Sequence, residues 1–316
     1  MDGIPIIDVS GLQAEEAGPR RAVAAELGRA CREVGFFYVT GHGIPDSLRG
    51  EVFAAAARLF ALPEAEKEQV SVKLSPHNRG YVGFGTERLD ETAAADQKEA
   101  FNVGLELPVD DPEVLAGAPF RGPNLWPAVP GLRGTLLAYY AACERLQEDV
   151  HRGFALDLGV EEGFFADKLA RSASTLRLLH YPAGPQTGEF GAGEHTDYGN
   201  LTVLATDGVA GLQVRRRDGA WLDAPHVPGA FVCNIADCLM RWTNDVYVST
   251  PHRVLRPAAE RYSVAFFGDA HPDAVVEALP TCLAPGEEAR YAPITAGAYL
   301  TQRLTATYDH LQTVAD

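Results

Sequence analysis

Between residues 174 and 267 the sequence is cut into short apolar runs separated by Gly, Pro, Asp and Asn, and this segment constrains the fold more than any other. Residues 175–181, 201–206, 211–215, 230–235 and 262–267 are strand candidates whose length and turn spacing suit a sandwich or jelly roll rather than a parallel α/β sheet. Ahead of them, the apolar positions Leu136, Tyr139, Tyr140, Cys143, Leu146, Val150 and Phe154 recur at helical spacing, so 132–158 reads as one long amphipathic helix bracing the sheet.

The strand-rich segment also carries the polar residues most suggestive of chemistry. On a strand or its immediate end side chains alternate faces, so His195 and Asp197 point one way and Thr196 the other. They can therefore chelate one ion from one side, and His252, brought back by the intervening strands, offers a third ligand. Two imidazoles and a carboxylate leave coordination positions open, as non-haem Fe(II) oxygen chemistry requires. Alone, a His-x-Asp pair is weak, since nine histidines and many acids produce such pairs by accident. Zinc accepts the same donors, but the helical His-Glu-x-x-His of zinc hydrolases is missing. Arg261 and Ser263, two apart on a strand, offer a guanidinium fork and a hydroxyl to one carboxylate, although a surface arginine beside a strand serine would look the same.

The N-terminal third is mixed. A strand is expected over 4–9, a helix over 19–33, a strand over 36–40, a helix opening at Pro45-Asp46 with Val52, Ala55, Ala56, Leu59 and Phe60 as its buried stripe, and a shorter helix from Pro63 to about Gln69. The glycine-rich Arg79-Gly80-Tyr81-Val82-Gly83-Phe84-Gly85 lacks the Gly-Lys-Ser/Thr of a phosphate loop and reads as a bent strand. A strand follows at 98–104 and a long surface connection at 108–130, and the tail returns to helix with Tyr299, Leu300, Leu304 and Tyr308. No linker or repeat divides the 316 residues, so one domain is expected, 1–316, with an N-terminal region 1–106 and a jelly-roll core 174–270.

Composition excludes some partners. A formal charge of −16, with 27 basic against 43 acidic side chains, argues against nucleic acid. No run is apolar enough for a membrane span, the N-terminus lacks the pattern of a secretory signal, and five cysteines without a Cys-x-x-Cys read as buried thiols; a cytoplasmic location and no obligatory protein partner are the expectations.

Several stretches together resemble the Fe(II)/2-oxoglutarate-dependent dioxygenases, in the branch containing isopenicillin N synthase and the plant-type oxygenases. They are Leu176-Arg177-Leu178-Leu179-His180-Tyr181-Pro182, Glu194-His195-Thr196-Asp197-Tyr198-Gly199, Gly211-Leu212-Gln213-Val214, Asn234-Ile235-Ala236-Asp237, Arg241-Trp242-Thr243-Asn244, Ser249-Thr250-Pro251-His252-Arg253-Val254 and Arg261-Tyr262-Ser263-Val264-Ala265-Phe266-Phe267, with Ile4-Pro5-Ile6-Ile7-Asp8 and Gly35-Phe36-Phe37-Tyr38-Val39-Thr40-Gly41-His42-Gly43-Ile44-Pro45 near the start. The resemblance implies an α+β fold with a mainly β core: a double-stranded β-helix, or jelly roll, flanked by a long bracing helix and a C-terminal helix. It implies Fe(II) on His195, Asp197 and His252, 2-oxoglutarate held by Arg261, Ser263 and Tyr181, and O₂ as co-reactant. The activity implied is oxidative decarboxylation of 2-oxoglutarate to succinate and CO₂ coupled to hydroxylation, desaturation or cyclisation of a small metabolite, as in natural-product biosynthesis, with no catalytic residue beyond the metal ligands. Leu179 stands where many members carry an Asn, which removes one polar contact to the cosubstrate. An isopenicillin N synthase-like oxidase, an ethylene-forming fragmentation of 2-oxoglutarate and a non-catalytic binding protein stay open. Arg79, Tyr81, Phe101, Asn102, Arg177, Tyr198 and Phe267 are the expected substrate-pocket residues, Arg177 being a candidate for a substrate carboxylate.

Overall fold

The computed structural model describes residues 3–87, 96–184 and 190–307. In chain order the first half comprises β1 (Ile6–Asp8), α1 (Ala17–Glu33), β2 (Phe36–Thr40), α2 (Asp46–Phe60), the single turn α3 (Glu64–Lys67), β3 (Gly80–Val82), β4 (Glu99–Gly104), the turn α4 (Pro112–Leu115), α5 (Leu132–Leu158) and the turn α6 (Ala166–Leu169). The second half comprises β5 (Thr175–Tyr181), β6 (Phe190–His195), β7 (Leu201–Thr206), β8 (Leu212–Arg215), β9 (Trp221–Asp223), β10 (Phe231–Ile235), α7 (Asp237–Trp242), β11 (His252–Leu255), β12 (Arg261–Gly268), β13 (Val275–Val276), β14 (Ile294–Thr295) and α8 (Ala296–Thr307).

An eight-stranded sheet in the order β1-β2-β10-β7-β12-β5-β4-β3 faces a four-stranded sheet in the order β6-β11-β8-β9, and β13 and β14 form a separate hairpin pair. From β5 to β12 the chain passes back and forth between the two sheets, with β8 and β9 paired consecutively in the smaller one, which closes them into a roll with residues of both lining one cavity. Strands β1 to β4 extend the large sheet at both edges rather than standing apart from it.

Period-two alternation gives the large sheet two unlike faces. Outward, Leu176 and Leu178 of β5 and Val264 and Phe266 of β12 pack with α5 residues such as Leu136, Tyr140 and Phe154 in a dry core. Each fully buried Leu or Phe contributes about 1.5–3 kcal/mol by leaving water. Inward, Thr175, Arg177, Leu179 and Tyr181 of β5 and Arg261, Ser263, Ala265 and Phe267 of β12 line the cavity. The stripe read from sequence does place α5 against the sheet, and the helix ends where Gly159 turns left-handed at φ 71°.

Sequence and structure differ at the edges of elements. The expected opening strand is only Ile6–Asp8, because Val9–Gln13 turns into a 3₁₀ helix capped by Asp8. The surface connection holds the turn Pro112–Leu115, with Asp111 accepting the Glu113 amide. β6, β9 and β11 lack the continuous β-branched runs that betray a strand and are not among those expected from sequence; Phe190–His195 contains two glycines. In the tail helix, Tyr308 lies outside the described residues.

Candidate metal centre and cosubstrate pocket

His195 ends β6 and His252 begins β11, and the two strands are paired with these residues directly opposite. Asp197 follows on the turn after β6, and the donor atoms of the three lie within 4.8 Å of one another. Hydrogen bonds fix which atoms face inward. The Nδ1–H groups of His195 and His252 donate to the carbonyls of Gly193 at 2.7 Å and Thr250 at 3.1 Å, so the lone pair of each ring is on Nε2. Those Nε2 atoms lie 3.8 and 3.6 Å from Asp197 Oδ1. The other carboxylate oxygen, Oδ2, accepts from Thr202 Oγ1 at 2.5 Å and Asn234 Nδ2 at 2.7 Å. One oxygen and two nitrogens therefore converge, each oriented from behind, as ligands to a common ion are. Bonds of about 2 Å to one ion would put donors about 3–4 Å apart, so the separations fit.

The electrostatics agree. Burial, together with His252 nearby, pushes His195 down to about 3, which keeps the ring neutral and able to coordinate. Burial opposes ionisation of Asp197, yet His252, His195 and the two hydrogen bonds hold it below its ordinary value. Asp237 secures the surroundings: its backbone N–H donates to Asp197 O at 2.9 Å, and its carboxylate accepts from Thr196 Oγ1 at 3.2 Å, Ser249 Oγ at 2.7 Å and Tyr299 OH at 2.8 Å. Thr196 thus points away from its two neighbours, as alternation requires.

Arg261 lies deeper in the cavity. It is 1% exposed, its Nη1 donates to Ser263 Oγ at 3.3 Å, its Nε donates to Val209 O at 3.2 Å, and its guanidinium stacks over Tyr181 at 4.8 Å. Among the described residues no carboxylate pairs with it. A buried guanidinium costs several kcal/mol unless an anion meets it, so the arrangement asks for one. Leu179, opposite Ser263 on β5, makes that wall apolar.

The seven expected substrate residues divide. Asn102, Arg177, Tyr198 and Phe267 line the cavity. Tyr81, Phe101 and Arg79 are buried elsewhere: Tyr81 and Phe101 sit in the outer core, Tyr81 OH donating to Glu99 at 2.6 Å, and Arg79 Nη2 donates to the Phe120 carbonyl at 3.3 Å. Strands β3 and β4 do reach the cavity edge, but alternation turns Tyr81 and Phe101 away, while Arg79, just before β3, packs its guanidinium where a side chain at Gly104 would stand. Arg177 does point inward, yet its fork is bound bidentately by Glu87 at 3.0 and 2.8 Å, so a substrate carboxylate would meet a charge already matched. Lys98 joins Glu87 at 3.0 Å and Asp96 at 2.6 Å, and Asp96 Oδ1 accepts the Gly193 amide at 3.0 Å, which ties this buried quartet to the strand carrying His195. Burial disfavours the Glu87 carboxylate, but Arg177 and Lys98 outweigh it and hold the group well below the usual range. Sequence reasoning missed this quartet; a lysine directly before an apolar strand was its one signal. It also missed α8 as a wall, where Leu300 and Leu304 face the cavity, Arg303 stacks over Tyr198 at 4.7 Å and Thr307 bonds the Tyr198 hydroxyl at 2.7 Å.

Residues 4–129 match the family model for the N-terminal region of non-haem dioxygenases of the morphine-synthesis type, and residues 172–270 match that of the 2OG-Fe(II) oxygenase superfamily. The chain is 40% identical to the 2-oxoglutarate-Fe(II) type oxidoreductase hxnY of Emericella nidulans over 92% of its own length and 86% of that protein. It is 36% identical to a homoarginine-6-hydroxylase of Oryza sativa subsp. japonica, covering 96% and 97% of the two chains. Among solved structures, a full-length Neurospora crassa protein in complex with alpha-KG and thymine superposes with a TM-score of 0.85 at 32% identity, covering 96% of each chain. Fold, donor set and relatives agree: the chain belongs to the 2-oxoglutarate–Fe(II) oxygenase superfamily, and it is an Fe(II)- and 2-oxoglutarate-dependent enzyme that oxygenates small molecules.

Proposed function

We propose that His195 Nε2, Asp197 Oδ1 and His252 Nε2 hold Fe(II), and that Arg261 and Ser263, with Tyr181 beneath the guanidinium, take the distal carboxylate of 2-oxoglutarate. The single observation that carries this reading is the pairing of three converging donors with a buried, anion-seeking guanidinium in one cavity. Iron and 2-oxoglutarate together supply the oxidising chemistry, in which O₂ is consumed as the keto acid is decarboxylated to succinate and CO₂ and a substrate C–H is hydroxylated, desaturated or cyclised. The chain's own residues do the positioning. Thr202 and Asn234 fix the Asp197 carboxylate, the Gly193 and Thr250 carbonyls fix the imidazoles, and Leu179 and Leu212 exclude water beside Ser263. Phe267, Tyr198, Leu300 and Leu304 form apolar surface against which a small molecule is oriented.

The substrate is read as a small metabolite, and the protein as acting in one piece, since β1 to β4 belong to the sheet that bears Arg261. Two similar proteins support a small-molecule substrate: the rice relative is named for homoarginine and the Neurospora structure contains thymine. Among the described residues no helix is long and apolar enough to cross a membrane, in keeping with the cytoplasmic location we favour. Anaerobic addition of Fe(II) and then 2-oxoglutarate tests the reading. A weak visible charge-transfer band is expected, as is succinate release when air and substrate are admitted. Fe(II) binding without the band would instead favour an oxidase that uses no 2-oxoglutarate.

A further inference from the structure

The cavity also carries polar groups to which the proposed function gives no task. The alternation that turns Arg261, Ser263, Ala265 and Phe267 inward continues one residue past β12 to Asp269, which lines the cavity and is 6% exposed. Its backbone is pinned, the N–H donating to Ser174 Oγ at 3.0 Å and the carbonyl accepting from Gln147 Nε2 at 3.1 Å. Its carboxylate accepts no hydrogen bond and forms no ion pair with any described residue. Gly199 leaves room for it: a Cβ there would fall 2.2 Å from Asp269 Oδ1, so the last residue of the His195-Thr196-Asp197-Tyr198-Gly199 run can only be glycine while the carboxylate occupies this place.

A second acceptor lines the same cavity. Asn102 is fully buried, its Nδ2 donates to Asn78 Oδ1 at 3.1 Å, and its own Oδ1 is buried without a partner. An acceptor left unmade costs about 1–3 kcal/mol, and more when charged. Two of them in one cavity are expected where a ligand brings the donors. Arg177 and Lys98 are matched by Glu87 and Asp96, and Arg79, whose charge acts on Asp269, donates its Nη2 to the Phe120 carbonyl and forms no ion pair with Asp269. Burial pushes the Asp269 carboxyl up to about 8, with Asp197 adding to the rise and Arg79 opposing it. Phe120, Tyr198 and Phe267 add aromatic surface to the same lining, which favours a flat group.

On the reading that this cavity is the substrate chamber of a 2-oxoglutarate oxygenase, we propose that Asp269 and Asn102 determine specificity by accepting hydrogen bonds from a planar N–H-bearing group of the substrate, as in a cyclic amide, a ureide or a guanidinium. Neutral and cationic versions share this chemistry and are separated by the test. The anaerobic protein loaded with Fe(II) and 2-oxoglutarate is titrated calorimetrically with thymine, with homoarginine, and with 1,3-dimethylthymine, which keeps the ring but has no N–H. At least one of the first two binds and the dimethyl compound does not. Asp269→Asn and Asn102→Ala each weaken the bound probe about tenfold to a hundredfold while the charge-transfer band forms as in the wild type. Preference for homoarginine over thymine identifies the cationic form, the reverse preference the neutral one. Unchanged affinity in both variants, equal binding of the dimethyl compound, or no binding of either N–H probe while the band forms overturns the proposal and leaves the cosubstrate reading intact. Loss of the band in the wild type overturns both. Asn102→Ala serves alone should the substitution at Asp269 prevent folding.

Discussion

The two faces of the large sheet are built from the same strands and yet obey opposite rules. On β12, Val264 and Phe266 face α5 in a dry core, while Ser263, next to Val264, and Arg261, two residues before Ser263, face a cavity with buried charge. The outer face is insensitive to which apolar residue fills it, provided volume is kept. The inner face depends on individual atoms, because each buried donor or acceptor needs a particular partner. Stability therefore resides mainly behind the sheet and chemistry in front of it, and substitutions one residue apart should separate the two.

The largest contrast is expected at the metal. His252→Ala should abolish substrate-coupled succinate release and weaken Fe(II) binding by at least about a hundredfold, measured by anaerobic titration, with little change in melting temperature of the metal-free protein. Phe266→Ala should do the reverse, lowering stability to denaturant by about 3–5 kcal/mol while Fe(II) affinity stays within a factor of two or so. If it also cost metal affinity, the two faces would not be separable. Arg261→Leu should weaken 2-oxoglutarate by about tenfold to a hundredfold, the worth of charge-assisted hydrogen bonds, and leave Fe(II) binding intact. Asn234→Ala, which removes one of two donors to Asp197 Oδ2, should cost about tenfold or more in Fe(II) affinity.

The smallest effect concerns pH. Glu87 is held below its ordinary value by Arg177 and Lys98, so the stability it contributes is complete above the unfolded value near 4.5 and is lost as pH falls below it. The melting temperature should decline on acidification from about pH 5, and Glu87→Gln should flatten that decline while lowering stability at neutral pH. An unaltered acid limb in the variant would remove the buried quartet from the account.

Much of the site was legible because it obeys alternation. Arg261 and Ser263 are spaced by two on β12, so the strand period puts them on one face. The same spacing drew attention to His195 and Asp197, although Asp197 lies on the turn just past β6. The long helix was equally plain from its stripe. What stayed hidden depends on neighbours distant in sequence. Tyr81 and Phe101 lie on strands at the cavity's edge but turn to the outer core, which a short irregular run cannot foretell. Arg177 reads as a lone inward charge until Glu87 is seen to meet it. Asp269 could have been found by extending the Arg261 to Phe267 alternation one further step. The span of β6 escaped because glycines interrupt it, although it carries His195, the first of the three converging donors.

The direct test of the central claim is Fe(II) stoichiometry by anaerobic equilibrium dialysis of the wild type beside Asp197→Ala. One tightly held iron per chain, lost or weakened at least about a hundredfold in the variant, is the predicted result. Equal iron binding by the two proteins would contradict it.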